Sequence, residues 1–194
     1  MSDESPGRRW PTVSDPKVMR ALAHPARLSI MEHLGSTGEA VTATGVAEVV
    51  GLSPSATSYH LRELAKTGLV EQAPTRGDAR ERLWRAVQPS FQVDAGRDAT
   101  PDARDAARDL VDTYLDRDVD RARAWIRRSY DEPAEWYDAA LVNGSVLLLT
   151  AEELTRLNSA VLDLLEPYRR RHRQADPPAG ARPVRVNYWT LPME

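Results

Sequence analysis

The 194-residue chain contains no cysteine. A chain without thiols cannot form disulfides, use a cysteine nucleophile or bind a metal through thiolates. Its four histidines, at positions 24, 33, 60 and 172, lack the spacing of metal ligands, so we predict no cofactor and leave open only an all-oxygen metal site. Long apolar runs are also missing, and residues 1–7 lack the basic and apolar stretches of a signal peptide. We therefore expect a cytoplasmic protein without a membrane partner.

Basic residues are in the minority, with 26 Lys plus Arg against 29 Asp plus Glu and a net charge of -3. This balance argues against indiscriminate nucleic-acid binding but not against a local basic surface. Residues 1–90 have a net charge of +1 and residues 91–194 a net charge of -4, so such a surface is expected in the first half. Because Pro and Gly interrupt the periodicity around residue 90, we predict four parts. These are a flexible tail (1–14), a first domain (15–90), a linker (91–99) and a second region (100–194).

The first domain has the pattern of several short helices followed by a hairpin. Helices are predicted from Pro16, from Pro25 to Leu34 with Gly35 as the stop, through Val46 to Val50, and from Pro54 to Thr67. The last two are joined by a three-residue turn containing Gly51, which is the helix-turn-helix pattern. Residues 69–71 and 80–87 read as two strands around a polar turn at 75–78, the position of a wing.

The helix from Pro54 has one apolar and one polar side. At 100° per residue, Thr57, Leu61 and Leu64 share the inner side. The opposite side and its amino-terminal cap provide candidate DNA-binding residues: Ser53, Ser55, Ser58, Tyr59, Arg62 and Lys66. An arginine can read guanine through N7 and O6, hydroxyl groups can donate or accept, and a lysine can neutralise a phosphate. An ordinary solvated helix face is the alternative.

The predicted wing adds arginines near the turn. Arg76 and Arg80 flank the turn and are predicted to contact phosphate or the minor groove. For Arg82 and Arg85, DNA contact and pairing with local acids remain equally open. Trp84 is predicted to pack within its strand.

Three motifs in this order resemble the winged helix-turn-helix of ArsR-type bacterial transcriptional regulators. They are Ala21–Met31 (ALAHPARLSIM), Ser58–Leu64 (SYHLREL) and Thr67–Val70 (TGLV). The resemblance covers roughly residues 15–90 and implies a homodimeric repressor that binds double-stranded DNA at a palindromic operator and is released by a ligand. It also implies that 54–66 is the recognition helix and 69–87 the wing. The missing cysteines exclude the thiolate chemistry of the family's metal sensors, so a small organic effector, or none, is expected.

The second region begins with a long amphipathic helix, predicted from Pro101 to about Tyr130, which the resemblance assigns to dimerisation. Its regularly spaced aspartates alternate with arginines and indicate a salt-bridged, solvated face. Beyond it we predict extended segments at 136–142 and 145–149, a helix from Thr150 to about His172, and a last strand over 184–188. The arginines of 169–173 are assigned to the helix end rather than to DNA. Five aromatic residues are predicted to form either a core or an effector pocket: Trp125, Trp136, Tyr137, Tyr188 and Trp189.

The sequence thus predicts a mainly α fold with little β structure: a winged helix-turn-helix domain, a dimerisation helix and a small α+β lobe. The favoured function is a DNA-binding regulator of transcription. Two alternatives are a protein-interaction module on the same scaffold and, least favoured, an enzyme in the second region, which has no Gly-rich phosphate loop and no nucleophile motif.

Overall fold

The computed structural model describes residues 10–74 and 82–193. The helices are α1 (Pro16–Leu22), α2 (Pro25–Thr37), α3 (Ala43–Val50), α4 (Pro54–Lys66), α5 (Pro101–Arg128), α6 (Ala134–Ala139), α7 (Ala151–Leu165) and α8 (Arg170–Arg173). The strands are β1 (Thr12–Val13), β2 (Val41–Thr42), β3 (Val70–Ala73), β4 (Leu83–Ala86) and β5 (Gln92–Val93). A mainly helical fold with short strands is confirmed, whereas the boundaries of the four parts remain a prediction.

Short polar side chains cap the amino-terminal ends of several helices. The Thr42, Ser53 and Thr100 side chains each accept a hydrogen bond from a backbone N–H of the following helix. Thr150 and Glu153 form a reciprocal capping box at the start of α7. These contacts satisfy backbone donors that an isolated helix end leaves without partners.

The strands form two small sheets. Strand β4 lies between β2 and β3 and is antiparallel to both, with Val70 opposite Ala86 and Ala73 opposite Leu83. Strand β1 pairs in parallel with β5. The hairpin after α4 is therefore present, and the strand that precedes α3 extends it.

A single apolar cluster joins the first domain to the start of α5. Its buried members come from α1, α2, α3, α4, the hairpin and α5: Met19, Leu22, Leu28, Ile30, Met31, Leu34, Val46, Leu61, Leu64, Val70, Trp84, Ala106 and Leu110. The packing of Trp84 predicted from the sequence is confirmed, since its side chain is buried. The long helix is thus anchored to the first domain through its amino-terminal half.

Gly35 does not end α2, which corrects the sequence prediction. The helix continues to Thr37, and Gly38, with φ of 71°, is the residue that ends it. A Cβ built on Gly35 would lie 2.5 Å from the carbonyl oxygen of Pro89. Gly35 is therefore a point where the chain after β4 crosses close to the helix, rather than a stop signal.

A charged cluster connects α2, α5 and the terminal part of the chain. Its members are Glu32, Arg117, Asp118, Arg121 and Arg185. Glu32 pairs with Arg117 at 2.9 Å, Arg121 at 2.7 Å and Arg185 at 3.1 Å. Asp118, whose side chain is 1% exposed, pairs with Arg121 at 3.3 Å and Arg185 at 2.9 Å. Burial opposes the charge of Glu32, but the hydrogen bond from Arg121 and the charges of Arg185 and Arg117 outweigh it, and the pKa of Glu32 is lowered.

The second region is helical where it is regular. Among the described residues, no strand follows Val93. The strands predicted at 136–142, 145–149 and 184–188 are therefore wrong for the single chain, since α6 occupies 134–139 and the other segments form no ladder. Pro167 lies in a 3-10 turn that separates α7 from α8, so the helix predicted from 150 to 172 is interrupted.

Candidate nucleic-acid interface

Helix α4 has the two-sided character that its sequence predicts. Thr57, Leu61 and Leu64 are buried on the inner side. His60 is buried with them, and its ring lies 4.8 Å from the ring of His24 between centroids. Burial, followed by the nearby charges of His24 and Arg27, lowers the pKa of His60. This histidine therefore packs on the inner side of the helix, away from the polar face.

The opposite side of α4 is polar and accessible. Ser53, Ser55, Tyr59, Arg62 and Lys66 are exposed. Ser58 is partly exposed on the flank. These six residues are the ones predicted from the sequence for this helix, and in the structure they form one surface that begins at the helix cap. We call this set the α4 outer face.

The charges of the α4 outer face differ in how they are balanced. Within residues 10–74 and 82–193, no carboxylate forms a salt bridge with Arg62. Lys66 donates to Glu63 Oε1 at 2.6 Å, and this hydrogen bond is the largest cause of the lowered pKa of Glu63. Glu63 was not among the predicted site residues, although its position one residue after Arg62 could have indicated that it borders the surface.

The hydroxyl groups at the start of α4 are partly engaged. The Ser53 Oγ accepts from the backbone N–H of Ala56 at 3.2 Å and lies 3.1 Å from the Oγ of Ser55. The cap leaves Ser53 with a hydroxyl hydrogen and Ser55 with further donor and acceptor capacity. Because the contact between the two hydroxyls uses one of their two hydrogens, the other hydrogen can be donated to an external acceptor without uncapping the helix.

The hairpin after α4 carries further arginines. Arg76 and Arg80, predicted to contact DNA, lie outside the described residues. Arg85 faces Glu71 across the hairpin and pairs with it at 2.6 Å. Local pairing is therefore the outcome for Arg85, and Arg82 is exposed at the start of β4.

The arginine run after α7 is occupied by local contacts. Arg169, Arg171 and His172 all pair with Glu166. The hydrogen bond from His172, together with the two arginines, lowers the pKa of Glu166 to about 2. The run does not lie at the carboxyl end of the predicted helix, because α7 ends at Leu165; its contacts with Glu166 are local.

The five aromatic residues of the second region do not form a buried core. Tyr137, Tyr188 and Trp189 are exposed. Trp125 and Trp136 are partly exposed, and the guanidinium of Arg182 lies 4.7 Å from the ring centre of Trp136. The predicted core is wrong in the single chain, because none of these five side chains is buried. Two clefts in the described part of the chain are lined by other residues.

Comparison with known protein families identifies the first domain. Residues 22–73 match the family model described as "Helix-turn-helix domain". This part of the chain is a helix-turn-helix domain. The match covers about a quarter of the chain and includes α2, α3, α4 and the first strand of the hairpin. No curated protein matches the chain significantly.

Several solved structures resemble parts of the chain. One is the homodimeric winged helix-turn-helix DNA-binding domain of a possible ArsR-family transcriptional regulator from Mycobacterium bovis, with 27% identity over 54% of this chain and 81% of that one, and a TM-score of 0.32. The YusO protein of Bacillus subtilis has 15% identity over 78% and 83% of the two chains, with a TM-score of 0.33. ZitR of Lactococcus lactis in complex with DNA has 16% identity over 71% and 74%, with a TM-score of 0.28. Because all three TM-scores are below 0.5, none of these likenesses establishes the arrangement of the whole chain.

No helix in the described part of the chain is long and apolar enough to cross a membrane.

Proposed function

We propose that the chain is a sequence-specific DNA-binding regulator of transcription. The observation that carries the proposal is the α4 outer face, which presents Arg62, Lys66, Tyr59 and serine hydroxyls from the second helix of a helix-turn-helix domain. In such domains the second helix enters the major groove, and its exposed side chains read base edges. Arg62, which lacks a carboxylate partner in the described residues, is assigned to base reading, and Lys66 to a phosphate.

The proposal includes a homodimer formed through α5. Beyond Leu110, this helix carries an apolar stripe on a side that its own chain leaves uncovered. The stripe consists of Val111, Leu115, Val119, Ala122 and Ile126, of which Val111, Val119 and Ile126 are exposed large side chains. Steps of 4, 4, 3 and 4 residues keep these positions within about 80° of one another on a helix, the pattern of a helix–helix seam. Light scattering on the full chain tests this part, and a monomeric mass at micromolar concentration would contradict it.

The proposed action is repression at an imperfect palindrome. Two α4 helices related by a two-fold axis would enter successive major grooves, so the half-sites should be about 10 base pairs apart. Titration of operator binding with metals and metabolites would identify an effector if operator affinity changes.

Binding to DNA from the promoter of the protein's own gene, measured across a salt series, tests the central proposal. Arg62→Ala should weaken the preferred site by roughly 10- to 100-fold and relax base preference at one position. Lys66→Ala should weaken all sequences alike and reduce the salt slope by about one unit. Arg123→Ala is the matched control, because Arg123 is an exposed α5 arginine whose partner is the exposed Asp120 at 3.6 Å.

Two results would overturn the assignment. A flat salt response, or the absence of a preferred site, would contradict DNA binding of this kind, because phosphate contacts release counterions. If Arg62→Ala and Lys66→Ala behave like Arg123→Ala, the α4 outer face is not the contact surface.

A further inference from the structure

Two segments of the second region expose apolar side chains on backbone that has no ladder partner. We call residues 140–149 segment A and residues 183–191 segment B. In segment A, Leu148 is fully exposed and Val146 is 80% exposed; in segment B, Leu191 is 81% exposed. Within the described chain, neither segment belongs to a sheet, and no backbone-to-backbone hydrogen bond is formed by 141–149 or 182–193. Exposure on this scale marks an interaction surface rather than scattered surface residues.

Both segments have the composition of strands. Segment A contains Ser145–Leu149 (SVLLL), and segment B contains Val184–Tyr188 (VRVNY). β-Branched and aromatic residues favour extended backbone; segment A has Val146, segment B has Val184, Val186 and Tyr188, and each run is about the length of a short strand. Segment A has no charged residue, and the only charge in segment B is Arg185, which is already paired with Asp118 and Glu32. Pairing of A with B would therefore bury no unpaired charge.

Segment B is held in place by side chains while its backbone remains free. Arg185 is 2.9 Å from Asp118 and 2.6 Å from the hydroxyl of Tyr114, both on α5. The hydroxyl groups of Tyr188 and Thr190 donate to Asn158 Oδ1 of α7 at 3.1 and 3.0 Å. A segment that is held by its side chains, and whose N–H and C=O groups form no backbone-to-backbone hydrogen bond, is a template for adding a strand.

We infer that segment A of one copy pairs with segment B of a second copy, and segment B of the first with segment A of the second. A second copy of the chain carries both a segment B to pair with segment A and a segment A to pair with segment B. A two-fold arrangement forms the contact twice and closes, whereas a one-way contact would continue into a filament. The pairing adds a second contact to the proposed α5 homodimer and does not depend on DNA binding.

The absence of native cysteine makes cross-linking a direct test. A tagged Leu147→Cys variant is mixed with a differently tagged Val186→Cys or Val184→Cys variant. The two choices test two registers of pairing between segments A and B. Facing residues of an antiparallel pair bring Cα atoms to about 4.5–5.5 Å, which suits a disulfide. The control is Val49→Cys, since Val49 is an equally exposed apolar residue on α3. We expect at least about tenfold more mixed dimer in one register than with the control.

Two outcomes of the cross-linking would overturn the inference. One is a mixed-dimer yield no higher than that of the control. The other is a Leu147→Cys/Val186→Cys double variant that closes its disulfide within one chain, because the two segments would then be each other's partner in the monomer.

A charge substitution gives an independent readout. Leu148→Asp cannot disturb the packing of the single chain, because this side chain is fully exposed. It should weaken dimerisation of the full chain roughly tenfold or more in light scattering or sedimentation, while Val49→Asp should not. Equal dimer affinity in the two variants would refute the pairing. Failed cross-linking with intact site-specific DNA binding refutes only this inference, and intact cross-linking without DNA binding refutes only the proposed regulator.

Discussion

Asp118 is the most deeply buried carboxylate of the charged cluster, and its removal should be costly. Its side chain is 1% exposed and its partners are Arg121 and Arg185, which are 41% and 35% exposed. Breaking a fully buried ion pair costs about 3–5 kcal/mol. Solvent screens these partly exposed arginines, so we expect Asp118→Ala to lower the free energy of unfolding by about 2 kcal/mol. For a chain of this length, that corresponds to a Tm lower by about 4–8 °C.

Asp120→Ala is the matched control for this substitution. Asp120 lies on the same helix, but its side chain is 76% exposed and its arginine partner is 3.6 Å away. An exposed pair of this kind contributes little, so the control should change stability by less than about 0.5 kcal/mol. Urea unfolding followed by circular dichroism measures both variants under one set of conditions.

A double-mutant cycle separates the pair from the burial of Asp118 itself. Arg185→Ala should also be destabilising, because it leaves the buried Asp118 carboxylate with Arg121, whereas Glu32 keeps two other arginines. Adding Arg185→Ala to Asp118→Ala should give a coupling energy of about 1–2 kcal/mol. Additive effects, or an Asp118→Ala cost no larger than that of the control, would refute the assignment of these residues to one coupled network.

Three further predictions concern the first domain. Gly35→Ala should destabilise the fold by about 1–3 kcal/mol in urea unfolding, because the added Cβ meets the Pro89 carbonyl. Alanine has the better helix propensity, so an unchanged or higher stability would contradict this prediction. The free energy of unfolding should fall as the pH drops below about 6.5, because the lowered pKa of His60 makes the unfolded chain bind this proton at a higher pH than the folded chain does. His60→Gln should flatten this pH dependence, and an identical pH profile would exclude His60 as a cause. Glu63→Gln should raise the affinity for all DNA sequences in a binding titration, because it removes a negative charge beside Arg62 and frees Lys66. Weaker binding would show that Glu63 stabilises the α4 outer face.

The sequence predicts α4 well because its two faces follow from helical geometry alone. Thr57, Leu61 and Leu64 had to share a side once the segment was helical, and the Ser53 cap fixed where the helix begins. Trp84 was also predictable, since an aromatic residue in a short strand beside a helix has few other places to pack. For these residues, local pattern and tertiary packing agree.

The charged cluster was not predictable from the same patterns. The periodic aspartates and arginines of α5 indicate a solvated face, and Arg108 does pair with Asp105 on that helix at 2.8 Å. Arg117 and Arg121 instead reach Glu32, which is more than 80 positions away in the sequence. Spacing along one helix contains no information about an acid on another helix. For the same reason, the strand pattern of 184–188 did not reveal that this segment would be held by Arg185 rather than by a ladder.

The position of the α4 outer face relative to a second copy depends on how firmly α5 is attached to the first domain. Two kinds of contact make this attachment. Ala106 and Leu110 lie in the same buried cluster as Met19 and Leu22. About two to three turns beyond Leu110, the charged cluster ties α5 to α2. Close-packed interiors resist deformation, so the first contact fixes the start of α5 and the second limits its swing.

Arg185 is the point at which segment B enters this attachment. It bonds to Asp118 of α5 and to Glu32 of α2 through the same guanidinium. Any change in segment B that withdraws Arg185 must therefore alter the charge balance between α5 and the helix-turn-helix domain. The coupling energy from the Asp118 and Arg185 cycle therefore measures how strongly this side chain holds segment B on α5.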